Sequence, residues 1–192
     1  MRTRTFWIIA IAHATTAYLI STLLIHLPAH LTDKGLSLTT AGVVVLTLTA
    51  SAGVFQIIGG WLADRLDKRF VIAGFMVVQG LAMFVLIAVE SLPMALVFGI
   101  VGGAGWGGRA PAITSIRGDY FGRRSFGTIL GLSMLPMNIG MIFIPLLAGV
   151  SYDLLDSYTI PFAILGGLVI AGGALMLAAG PPRPPVAAVE TP

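Results

Sequence analysis

The chain has 192 residues, 57% of them hydrophobic and 10% charged, with a formal net charge of +3 at pH 7. Soluble domains carry roughly 25% charged residues, and a mean hydropathy of +0.96 leaves more apolar surface than a soluble core of this size can bury. The composition therefore excludes a soluble globular protein, and the absence of cysteine excludes disulfide frameworks and thiol chemistry.

The apolar residues fall into six runs, at 6–27, 39–63, 70–89, 93–113, 127–150 and 160–179. Each has about the length that crosses a hydrocarbon core of about 30 Å. Five contain no charged residue, and the fourth contains one, Arg109. This pattern predicts an all-α membrane protein in which residues 1–180 form one six-helix transmembrane bundle. The Pro-rich segment 181–192 reads as a disordered cytoplasmic tail.

The first run follows Arg2 and Arg4, as a signal peptide would. Its apolar stretch exceeds the about 7–15 residues of a signal core, and no A-x-A-like cleavage site follows, so it reads as a spanning helix. At about 100° per residue, Thr15, Tyr18, Thr22 and His26 share one face of it. His13 lies on the opposite side and reads as a packing residue. His26 is a candidate proton relay, because an imidazole titrates near neutral pH, and His30 reads as interfacial.

The second run holds Gln56 and leads into "GGWLADRLDKRF" at 59–70, where five of the six positions from Asp64 to Arg69 are charged. In the third run Gln79 is the one large polar side chain, and the sixth run has none. Helices three and six are accordingly expected to face lipid, with one, two, four and five lining a cavity. The fourth run contains "GIVGGAGWGGRAP", which lacks the G-K-[ST] and the preceding strand of a phosphate loop. Small residues that let membrane helices approach closely explain it better.

Arg109 stands out because an arginine within a span costs roughly 2.5–3.5 kcal/mol on insertion scales and usually faces a bundle interior. It lies sixteen residues beyond Pro93, about 24 Å at 1.5 Å per residue, so snorkelling to the surface is the competing reading. The fifth run offers Ser133 and Asn138, with kinks expected at Pro136 and Pro145. Met134, Met137 and Met141 read as core packing.

Six spans place Arg2, Arg4, Arg65, Lys68, Arg69, Arg117, Arg123, Arg124 and Arg183 on the face of the termini, and Lys34 opposite. Short-loop Lys/Arg bias sets orientation, so both termini are expected to be cytoplasmic, with outside loops at 28–38, 90–92 and 151–159. That collar accounts for the basic pI of about 9.7 without any nucleic-acid partner. Asp64 and Asp67 need another explanation, since acidic residues contribute little to orientation. Each can accept from free backbone N–H groups at a helix N-terminus.

The stretch Gly60-x-Leu62-Ala63-Asp64-Arg65-x-x-Lys68-Arg69 resembles the signature loop between helices two and three of each half of the major facilitator superfamily. It departs at Asp67, where that family usually has glycine. "DYFGRRSFGTILGL" from Asp119 and "GVSYDLLDSYTIPF" from Gly149 are similar to the monocarboxylate-transporter-like and oxalate/formate-antiporter-like branch. The resemblance runs from about residue 6 to 179 and corresponds to the C-terminal six helices of a twelve-helix transporter.

It implies one half of a major-facilitator-type fold, built as a 3+3 inverted repeat. The implied activity is secondary active transport of a small organic solute by alternating access, with a carboxylate as candidate solute and a proton as candidate coupling ion. The resemblance makes Gly60, Asp64, Arg65, Lys68 and Arg69 a conformational latch, with Asp64 the acceptor. Aligning "FQIIGGWLAD" with the branch puts Gln56 where an anion-binding arginine often stands, which leaves Arg109 as countercharge. The candidate solute-lining residues are then Arg109, Gln56, Asn138, Tyr18, Thr22 and His26. No metal, cofactor or enzymatic activity is expected; "GLSM" lacks the second glycine of an intramembrane serine protease motif, and the spans hold no acidic pair. The expected partners are the bilayer (a bacterial-type plasma membrane), the solute, and a second six-helix half or second copy of the chain. The alternative is a non-transporting membrane scaffold or truncated gene product.

Overall fold

A computed structural model of the chain describes residues 3–121 and 126–180. The expected tail at 181–192, together with Arg2, Arg123 and Arg124, lies outside the described residues. Six helices make up the described chain: α1 Thr3–Asp33, α2 Leu38–Arg65, α3 Lys68–Ile87, α4 Leu92–Phe121, α5 Phe126–Leu155 and α6 Thr159–Leu177. The connections are short and carry their own stop signals. Gly35 ends α1 in the left-handed region at φ 84°, which lets the Leu36 N–H return to the Leu31 carbonyl at 3.0 Å. Ser37 caps α2 by accepting from the Thr40 N–H at 3.1 Å. Asp67 caps α3 by accepting from the Arg69 N–H at 2.9 Å.

Five of the helices are long and apolar enough to cross a membrane. The fourth expected span, now α4, is the exception, because its glycines and Arg109 dilute its apolar content. It also runs to Phe121, beyond the expected end at 113, with Pro111 inside it. Between Pro111 and Phe121 the sequence contains no proline to break the helix, and Arg117 finds hydrogen-bond acceptors inside the bundle. α5 likewise stays one helix through both Pro136 and Pro145.

The packing has an internal symmetry. α4 packs on α2 and α3, α1 packs on α5 and α6, and α3 packs on α6. Exchanging α1, α2, α3 for α4, α5, α6 reproduces the same set of contacts. Each unit has three helices, so the second enters from the opposite side of the layer, and the bundle is a 3+3 inverted repeat. Leu19, Leu23, Leu27, Ile72, Phe98 and Phe162 are fully buried in its core.

Glycines set how closely α4 approaches its neighbours. A Cβ placed on Gly105 would stand 2.5 Å from the Gln79 backbone nitrogen of α3. One on Gly107 would run into the Ala52 backbone of α2, and one on Gly59 into the Gly108 backbone. Small residues here replace the hydrophobic drive that lipid cannot supply between helices. Ser51 adds an interhelical bond, donating to the Ile100 carbonyl at 2.7 Å.

α3 and α6, expected to face lipid, cover one another's inner faces, and only outer rows such as Leu81 and Phe84 or Ile164 and Leu168 remain exposed. The least covered helices are α2 and α5. They present Val54, Ile57 and Ile58 on one side and Leu135, Ile139 and Ile142 on the other.

Candidate functional site

Two similar rungs join α1 to α5. The Tyr18 hydroxyl donates to the Pro136 carbonyl at 2.9 Å, and the His26 Nε2 lies 3.0 Å from the Pro145 carbonyl. A carbonyl only accepts, so Nε2 carries the proton, and in the neutral ring Nδ1 accepts from the Tyr158 hydroxyl at 3.2 Å. Four residues beyond each proline stands a glycine. A Cβ at Gly140 would enter the Tyr18 ring, and one at Gly149 would touch His26 Cε1 at 3.7 Å. The expected stripe on α1 therefore exists, and two of its members lock onto α5 rather than facing open space.

The other candidates are scattered. Thr22, on the same stripe, is fully buried, and its Oγ1 has no hydrogen-bond partner. Gln56 on α2 and Asn138 on α5 are both exposed on the outer surface of the bundle. Arg109 reaches none of these residues. It is 4% exposed and turns toward α3, where its Nε donates to Gln79 Oε1 at 3.1 Å. That contact places it inside the bundle rather than at a snorkelling position. It also explains the polar residue of α3, although Gln79 Nε2 is left without a partner.

A second internal arginine was not foreseen. Arg117, expected in a water-exposed loop, is 1% exposed within α4. Its Nε donates to Ser133 Oγ at 3.2 Å, its Nη1 to the Ile113 carbonyl at 2.6 Å, and its Nη2 to His13 Nδ1 at 2.9 Å. His13, expected as a packing residue, thus joins a polar cluster at the junction of α1, α4 and α5. Arg109 and Arg117 are eight residues apart, which turns them about 80° from one another on a helix, and so one meets α3 while the other meets α1 and α5. The signal that could have revealed Arg117 is the helix-compatible sequence that continues past Pro111.

The charged stretch between α2 and α3 is arranged differently from expectation. Asp64, expected as the acceptor, lies inside the last turn of α2, exposed and without an ion pair among the described residues. Asp67 and Asp119 are the acceptors instead. The Asp67 carboxylate meets the Arg69 guanidinium at 2.6 Å, and that side-chain hydrogen bond holds its carboxyl below the ordinary value. Lys68 pairs with Asp119 of α4 at 2.6 Å. Arg69 also donates to the Ala179 carbonyl at 2.6 Å, and Tyr120 donates to the Gly180 carbonyl, so this end of the bundle ties α3 and α4 to the chain leaving α6. Arg65 turns back over the Trp61 ring at 4.2 Å, and Gly60 lies against Pro111. No group of three His, Asp or Glu residues able to hold a metal ion occurs among the described residues.

The chain is 25% identical over 144 residues to the quinolone resistance protein NorA of Staphylococcus aureus, a match covering 75% of this chain and 37% of that protein. It is 23% identical over 129 residues to a probable hexose phosphate transport protein of Chlamydia muridarum, covering 66% of this chain and 28% of that one. A crystal structure of a bacterial homolog of the human lysosomal transporter Spinster, inward-facing and unoccupied, superposes with a TM-score of 0.74 at 16% identity, over 96% of this chain and 44% of that one. The chain spans less than half the length of each of these relatives. The sequence profile of the Major Facilitator Superfamily matches residues 6–192, and the chain belongs to that family as an integral membrane protein.

Proposed function

We propose that this six-helix unit carries a small organic anion, a carboxylate, across a bacterial-type plasma membrane by alternating access, with its termini cytoplasmic. One observation carries the reading. Two guanidiniums, those of Arg109 and Arg117, are buried inside the bundle, whereas every described Asp and Glu is exposed. A buried charge without a counterion is costly, and an anionic solute would offset it during each passage. The "DYFG" resemblance supports the same class, and the Chlamydia relative is named for hexose phosphate, itself an anion.

The unit is proposed to work against a second six-helix bundle, from the same polypeptide or a second copy. α2 and α5 are the least covered helices, and they carry Gln56 and Asn138 outward. Polar groups without partners in hydrocarbon are unfavourable by several kcal/mol each, so a protein surface suits that face better than lipid. Halves of this superfamily are related by an axis along the membrane normal, and rocking between them provides access to either side. Tyr18 and His26 then border the seam that must yield, and Lys68, Arg69, Asp67 and Asp119 form the ties that open and close. His26 remains the candidate relay for a coupled proton.

The test is counterflow in proteoliposomes loaded with unlabelled L-lactate. Saturable entry of labelled lactate, inhibited by other small carboxylates and not by lactamide, is expected. Equal inhibition by the amide, or entry of neutral solutes at the same rate, would refute the anionic class. Disulfide crosslinking between bundles from Gln56→Cys or Asn138→Cys reports the second surface.

A further inference from the structure

We propose that Arg117 is the residue that holds the solute's carboxylate, with His13 and Ser133 as its positioning residues, at the junction of α1, α4 and α5. This rests on the anionic reading above and assigns its binding group.

The arrangement of donors carries the assignment. A guanidinium has five N–H donors and no acceptor. Three of those of Arg117 go to neutral oxygens and a nitrogen on Ser133, Ile113 and His13; the other two have no partner among the described residues. Ser133 Oγ itself donates to the Leu130 carbonyl at 2.9 Å, so toward Arg117 it can only accept, and its hydroxyl is fixed. The same logic fixes the tautomer of His13. Because Arg117 can only donate, His13 Nδ1 must present its lone pair, and the neutral ring carries its proton on Nε2. That Nε2–H has no partner among the described residues. The junction therefore holds a planar cation with two uncommitted N–H groups, and the His13 ring bound to it keeps one more N–H donor. A carboxylate, with two oxygens and a matching fork geometry, is the ligand that uses them.

Arg109 is less suited to the role. It faces α3, its Nε is committed to Gln79 at 3.1 Å, and the close approach of Gly105 to the Gln79 backbone leaves little room beside it.

The chain has no cysteine, so Arg117→Cys gives a single reactive site. Equilibrium binding of radiolabelled L-lactate to the purified protein should weaken roughly tenfold to a hundredfold on this substitution, the range for losing hydrogen bonds to a charged group. Aminoethyl methanethiosulfonate, which restores a positive charge, should recover part of the affinity, while methyl methanethiosulfonate should not. Lactate should slow the labelling. His13→Gln, whose amide oxygen still accepts from Arg117, should weaken binding less than His13→Leu. Should Arg117→Cys fail to purify as a folded species, Arg117→Lys keeps the charge without the fork and should bind about tenfold more weakly.

Parent-like lactate binding by Arg117→Cys or Arg117→Lys overturns the assignment. So do equal effects of the two reagents, labelling that lactate does not slow, or a larger loss of affinity in Arg109→Gln than in Arg117→Gln. A parent protein that binds no lactate would instead overturn the anionic reading, and this assignment with it.

Discussion

Gly105→Ala is the sharpest test of how α4 is seated. The new Cβ would stand 2.5 Å from the Gln79 nitrogen and 2.6 Å from its Cα and Cβ. These are backbone and near-backbone atoms of α3, so no flexible side-chain end can move aside. Moving them back to 3.4 Å, where ordinary contact begins, shifts α3 from α4 by about 0.9 Å. A gap of about 0.5–1 Å forfeits a quarter to a half of each dispersion contact along the seam, and overpacking of this kind costs about 1–3 kcal/mol. The same shift stretches the Arg109–Gln79 hydrogen bond from 3.1 Å out of range. Hydrogen bonds to charged groups contribute about 1.5–3 kcal/mol. The sum is on the order of 4 kcal/mol, or roughly 10 °C in melting temperature for a chain of this size.

Thermal unfolding of the purified protein in detergent, followed by monodispersity or tryptophan fluorescence, reads this directly. The matched control is Gly74→Ala on the outer side of α3, where a Cβ meets nothing within 4 Å. It should be neutral or stabilise by about 0.5–1 kcal/mol, because glycine in a helix interior gives up more freedom on folding than alanine. Equal melting temperatures for the two variants would refute the claim that glycine is required at this contact.

Three further outcomes follow from the geometry. Tyr18→Phe removes only the bond to Pro136 and should cost about 1 kcal/mol, whereas Gly140→Ala displaces the whole ring and should cost more; melting curves of both, and of the double variant, check that the two effects are not additive. Asp119→Asn breaks the partly exposed pair with Lys68, so stability should change by less than about 1 kcal/mol while the lactate counterflow rate changes severalfold. Asp67 is held below its ordinary carboxyl value of 3.8 by Arg69; a lowered folded pKa gives stability that is complete above that value and lost as pH falls through the lower one. Asp67→Asn should therefore lower the melting temperature slightly at neutral pH and flatten the acid limb of the profile below about pH 3.8, where parent and variant converge.

The sequence made the helix layout legible because it depends on one-dimensional quantities. Run length shows where the helices lie, Asp67 was readable as an acceptor at a helix N-terminus, and the small residues of α4 announce close packing. The stripe of Thr15, Tyr18, Thr22 and His26 was equally readable, since a helical face follows from spacing alone. What a face touches is a different matter. Arg117 could be placed only by knowing that α1 and α5 meet beside α4, and His13 could be assigned only once Arg117 was seen to lie against it. Gln56 and Asn138 were polar residues within spans, yet periodicity could not say that both point out of the bundle. The exchange of Asp64 for Asp67 and Asp119 as acceptors turns on where α2 stops, a matter of a single turn.

The separation of charge described above also makes the unit a one-sided electrostatic filter. With every described carboxylate exposed and the guanidiniums of Arg109 and Arg117 buried in the interior, the interior potential is positive. A monovalent cation about 10 Å from one guanidinium is opposed by roughly 1.7 kcal/mol at an effective dielectric constant of about 20, and two such groups act together. A sodium ion would meet that barrier whether or not a solute is bound. On the alternating-access reading proposed above, a bundle opening to either side would thus stay closed to sodium leak.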